Sequence, residues 1–150
     1  MPTTRRRHDA NIGTALNAAF TGAVRRLPEL LRRVYTEVAN GGFGPDGGLA
    51  SLTDGNRAPR HLRDWPCAVS VHERNLSEGM PSSWLFLTYG GCTMEWHVSL
   101  TAVDNPVLLY DTDGHTFGED PHDGLCHATS SLRRWLATWA DGGDVWDEVL

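Results

Sequence analysis

The sequence predicts a single α+β domain, a largely antiparallel sheet flanked by N-terminal helices and a C-terminal, tryptophan-containing helix. Three observations carry this. Leu27, Leu30, Leu31, Val34, Tyr35 and Val38 recur at i, i+3, i+4, i+7, i+8 and i+11, the apolar stripe of a helix that docks on a core. In residues 93–100, Met94, Trp96, Val98 and Leu100 alternate with Thr93, Glu95, His97 and Ser99, the pattern of a strand with one buried and one wet face. Leu132, Trp135, Leu136 and Trp139 form a second helical stripe.

Taken in chain order, residues 1–12 are a polar, arginine-rich tail expected to be flexible, and residues 13–150 form the domain. Leu16, Ala19, Phe20 and Ala23 predict a helix over 11–24. The next helix opens at Pro28, where a missing N–H costs nothing, and Glu29 complements its N-terminus. Asn40-Gly41-Gly42 ends it, since these residues tolerate the left-handed conformation of a helix end. Residues 40–52 then specify a shaped, glycine-rich loop. It lacks the GxxxxGK[ST] pattern of a phosphate cradle, and the chain contains no lysine.

Residues 53–66 are polar and turn-rich, 67–71 are expected to be a short strand, and 73–83 a loop. Strands over 84–89 and 92–100 are joined at Gly90-Gly91, and Asp104-Asn105-Pro106 turns into a third strand over 106–111. Residues 112–127 read as an acidic, glycine-containing loop. The last helix takes Thr129, Ser130 or Ser131 as its N-cap and stops at Asp141-Gly142-Gly143, after which Val145 and Trp146 fold back on the core.

With 150 residues, 40% hydrophobic and 21% charged, the chain suits one globular core. No run approaches the ~18 apolar residues of a membrane helix, and no apolar segment follows the N-terminal arginines as a secretory signal requires. The expected compartment is the cytoplasm, with Cys67, Cys92 and Cys126 as free thiols buried like small hydrophobes. Charge is unevenly placed. Residues 1–74 hold eleven Arg against seven acids, a balance of +4, and residues 75–150 hold two Arg against twelve acids, a balance of −10. An acidic half repels nucleic acid and attracts basic surfaces, mainly speeding and orienting encounters.

No residue set has the spacing of an active site, so no catalytic, cofactor or metal residue is assigned. Cys92 and His97, as a hydrolase pair, would stand on opposite faces of a strand, ~16 Å apart at ~3.3 Å per residue. His115, His122, Cys126 and His127 could wrap a zinc ion only through loop geometry, without a CxxC or HxxxH to stiffen it. Asp111, Asp113 and Glu119 resemble a calcium loop, but Gly114 comes too early. Among the twelve acids of the second half, nothing singles out a glycosidase pair.

The segment LPELLRRVYTEVANGGFGPDGGLASL (27–52) resembles the signature of the SUKH superfamily of Smi/Knr-type domains: a helix opening with Leu-Pro, an Asn-Gly-Gly stop and a glycine-rich loop. LFLTYGGC (85–92) is similar to the family's central hairpin. VLLYDTDG (107–114) and SLRRWLATWADGGDVW (131–146) resemble its last strand and its C-terminal helix with a Gly-Asp-x-Trp ending. The resemblance spans residues 13–146 and implies an α+β domain without catalytic residues. It further implies a bacterial immunity protein that binds and neutralises a toxin, with a non-immunity interaction scaffold as the alternative and a Cys/His hydrolase or zinc enzyme behind both. A basic nuclease toxin would suit the acidic half. The contact residues then expected are Asp111, Asp113, Glu119, Asp120 and Asp123, with Glu95 and His97 as neighbours on the wet sheet face. The partner is a protein rather than nucleic acid or membrane, and the chain itself is expected to be a monomer or weak dimer.

Overall fold

A computed structural model describes residues 22, 26–53, 66–114, 120 and 124–149 of the protein. The expected tail 1–12 and most of the turn-rich stretch 53–66 lie outside them, and of the helix expected over 11–24 only Gly22 lies within.

The α+β expectation holds. Helix α1 (Glu29–Arg33) widens in its last turn over Val34–Val38, where Ala39 N–H donates to Val34 O. The wide turn leaves Val38 64% exposed, so the stripe ends at Tyr35. Helix α2 (Ala68–Ser77) follows, then strands β1 (Trp84–Gly91), β2 (Met94–Ser99), β3 (Val107–Asp111) and β4 (Leu125–Ala128), and helix α3 (Leu132–Ala140). Short 3₁₀ turns occupy Thr112–Gly114 and Val145–Glu148. The strands form an antiparallel meander in the order β1-β2-β3-β4.

Helix α2 and strand β4 correct the sequence reading. The stretch 67–71 was expected as a strand and 73–83 as a loop, but Ala68, Val71 and Asn75 are buried on one side of a helix. A polar residue at the third place of so short a stripe hides its period. Strand β4 begins inside the region read as acidic loop, where Leu125, His127 and Ala128 pair with β3.

These elements make three layers. On one face of the sheet, Leu85, Leu87, Trp96, Val98, Val107 and Leu109 meet Leu31, Val34 and Tyr35 of the first helix and Leu132 and Trp135 of α3. On the other, Val71 of α2 packs with Phe86, while Trp84, Leu108 and Tyr110 gather with Met80. A bulge between Phe86 and Thr88 in β1 shifts the register. Ser131 is the N-cap of α3, its hydroxyl accepting from Arg134 N–H at 3.1 Å. Val145 is buried and Trp146 packs on the core, as expected.

The glycine-rich loop is held by its backbone. Gly42 N–H donates to Leu49 O and Leu49 N–H to Phe43 O, while Asn40 Oδ1 accepts from Leu52 N–H at 2.8 Å. At Gly41 φ is +89°, and a Cβ there would stand 2.7 Å from Ser51 N, so only glycine fits. The loop presents Asp46, whose Oδ2 accepts from Trp96 Nε1 at 2.6 Å and from Trp146 Nε1 at 2.9 Å.

Candidate functional site

Of the acidic groups expected to make contacts, Asp111 and Asp113 stand at one end of the sheet. Asp111 ends β3 opposite Met94, the first residue of β2, and Thr112 N–H donates to Thr93 O at 2.9 Å. Asp111 Oδ1 accepts from Asp113 N–H at 3.0 Å, a local turn that turns the chain out of the sheet and leaves Asp113 exposed. Asp120 is exposed as well, while Glu119 and Asp123 lie outside the described residues.

Glu95 and His97 are placed differently from the expectation. Their side of the sheet is not wet, because α2 and the residues after it cover it: Glu95 is 5% exposed and His97 fully buried. The two were read as solvent-facing because they alternate with apolar residues. In the fold they partner one another, His97 Nε2 lying 3.0 Å from Glu95 Oε2. Each side chain thus supplies one hydrogen-bond partner to the other. Trp84, Phe86 and Tyr110 surround the imidazole with ring centroids 5.8–6.3 Å away. His97 Nδ1 has no hydrogen-bond partner among the described residues.

Beneath the acidic end, between the last turn of α2 and strands β2 and β3, lies a cavity of about 210 Å³. Arg74, Asn75 and Glu78 line one wall, with Glu95, Tyr110 and Thr112 opposite. Arg74 Nη2 approaches Glu95 Oε1 to 3.8 Å, an ion pair too long for a hydrogen bond. The Tyr110 hydroxyl is pushed up to about 12, first by burial and then by the negative charges of Glu95, Glu78 and Asp111. Two carboxylates, Glu78 and Glu95, and one guanidinium, Arg74, line the cavity. Its size suits a single side chain better than a metabolite, for which pockets of ~300–1,000 Å³ are usual. Arg74, Asn75 and Glu78 were missed by sequence reasoning because the helix that carries them was missed. The helical spacing Ala68–Val71–Asn75 was the available signal.

The other residue sets are not assembled. Cys92 was expected to be buried, but it is exposed on the β1–β2 turn at φ +24°, because the strand ends at Gly91 and the thiol projects from the turn. No hydrogen bond joins it to the enclosed His97. Cys67 is half-buried, its Sγ 3.0 Å from Ser70 Oγ. His115 and His122 lie outside the described residues, as do the side chains of Cys126 and His127. Among the described residues no group of three or more His, Cys, Asp or Glu could hold a metal ion. None of the described helices is long and apolar enough to cross a membrane.

A second groove, about 620 Å³, runs between the start of α1 and α2 and is lined largely by leucines, among them Leu27, Leu52, Leu76 and Leu85. Arg26, His72 and Glu73 also line it. No protein-family model, no curated protein and no solved structure matches the chain.

Proposed function

We propose that this chain is an immunity protein that binds a basic toxin domain and neutralises it by direct contact. The observation that carries the reading is the acidic end of the sheet, where Asp111 and Asp113 follow Tyr110 at a side-chain-sized cavity lined by Glu78 and Glu95. The likeness of residues 27–52, 85–92, 107–114 and 131–146 to SUKH domains supports it, as does the −10 balance of residues 75–150. Such a surface raises the association rate with a cationic partner and masks the groove a nuclease uses for its substrate.

The test is co-expression with the toxin domain encoded by the neighbouring gene. Growth is rescued by this chain, and the purified pair associates about tenfold more slowly when salt rises from low to high ionic strength. The variant Asp111→Asn/Asp113→Lys keeps the acceptor of the local turn while reversing charge, and slows association about tenfold with little change in dissociation. Tight binding with no salt dependence, or no rescue at all, would sink the reading.

A further inference from the structure

We infer that the cavity between α2 and strands β2 and β3 receives an arginine side chain of a protein partner, with Glu95 as its counter-ion. Glu95 is the deepest charge there, 5% exposed, and only Oε2 is engaged, by His97 at 3.0 Å. Among the described residues Oε1 accepts no hydrogen bond; the nearest cation, Arg74, stands off at 3.8 Å and is half-exposed. Arg74 Nη2 has a poor alternative partner in Asn75 Oδ1 at 3.4 Å, so the resident cation is loosely held. A buried carboxylate with one unused oxygen is a strong acceptor for a charge-assisted bond.

The lining chemistry selects the sign and kind of ligand. Glu78 and Glu95 outnumber Arg74, and Asp111 adds to the same field at Tyr110. An anion would therefore be repelled. Between the two basic side chains, a guanidinium is less strongly hydrated than an ammonium. It can also bond Glu95 and Glu78 with separate N–H groups while lying against the Tyr110 ring. The inference rests on the proposed function only for the source of the arginine.

The test is NMR titration of the whole isotope-labelled chain with Nα-acetyl-arginine N-methylamide, with the blocked lysine and blocked glutamate compounds as comparators. Saturable shifts are expected at the amides of Arg74, Glu78, Glu95 and Tyr110, weaker with lysine and absent with glutamate. Glu95→Gln abolishes them. Arg74→Gln, at a half-exposed site that leaves the core intact, strengthens arginine binding about threefold by removing the competing cation. Shifts that never saturate, an equal response to glutamate, or weaker binding by Arg74→Gln would overturn the inference, even if Glu95→Gln does not fold. Neutralisation of a toxin with a silent titration removes the cavity's role alone; arginine binding without neutralisation removes the immunity reading alone.

Discussion

The indole N–H of Trp146 donates to the carboxylate of Asp46, at 3.0 Å and 2.9 Å to its two oxygens, across a hundred residues of chain. Trp96 Nε1 donates to the same group, and the two indoles meet edge to face at 5.1 Å. Gly90 completes the arrangement, since a Cβ there would lie 2.9 Å from the Trp146 ring. One acid in the glycine-rich loop thus ties that loop, the middle of the sheet and the C-terminal turn together.

Asp46→Ala is accordingly expected to cost about 2–3 kcal/mol, because a fully buried indole donor, Trp96, and a half-buried one, Trp146, lose a charged acceptor. Asp46→Asn keeps one amide oxygen and costs about half as much. Guanidinium denaturation followed by tryptophan fluorescence measures both. An Asp46→Ala midpoint equal to that of the parent would show the contact to be energetically idle.

Two loop glycines separate conformational strain from steric exclusion. Gly41→Ala combines φ +89° with a Cβ 2.7 Å from backbone, whereas Gly47→Ala has a similar φ of +90° and open space. The first is expected to cost about 3 kcal/mol or more and the second about 1 kcal/mol. Equal thermal shifts for the two would contradict the packing of the loop on residues 49–51.

Alkaline pH should unfold the protein through its tyrosines. Burial raises the Tyr35 hydroxyl above its ordinary value, with the nearby Cys67 adding to the effect, and Tyr110 is pushed up to about 12. Both folded values exceed the unfolded value of ~10, so this contribution is complete below pH ~10 and is lost as pH rises through the folded values. The chain has no lysine, so no lysine ammonium titrates in that window. Denaturation midpoints should fall steadily between pH 10 and 12, in step with tyrosinate absorbance. A midpoint that stays level to pH 11.5 would contradict the burial of these hydroxyls.

Capping of the last helix gives a sharper contrast. Ser131→Ala should cost about 1 kcal/mol, since its hydroxyl accepts from Arg134 N–H, while Ser130→Ala, at an exposed neighbour, should be silent. Thr129 has a third role: its hydroxyl donates to Val107 O at 3.0 Å and holds the chain beside β3. Calorimetry of the three alanine variants separates these roles.

The residues that were legible in the sequence are those whose period matches their burial. Leu132 and Trp135 read as a helix, and residues 84–89, 92–100 and 106–111 as strands, because each buries an apolar set in a periodic or continuous run. Trp139 was placed in the same stripe, yet it is 38% exposed, its ring 6.1 Å from that of Phe43. The candidate site was half legible. Its rim, Asp111 and Asp113, shows as charge, but its floor does not. Glu95 and His97 are polar residues buried by mutual pairing, and a period-two pattern cannot tell such a pair from a solvent face. Arg74 and Glu78 depend on a helix whose stripe is interrupted by Asn75.

The hydrogen bond from Ala50 N–H to Leu87 O, with Thr88 Oγ1 donating to Gly48 O, lays the end of the glycine-rich loop along the outer edge of β1. At the opposite edge β4 is only four residues long. A meander of four strands would otherwise offer open rims to which another molecule's strand could add. One rim is here occupied by the chain itself and the other kept short, two recognised defences against edge-to-edge aggregation. Loosening residues 48–50 would therefore threaten colloidal behaviour as well as folding. A destabilised loop variant is expected to fail first by self-association, at protein concentrations where the parent stays dispersed.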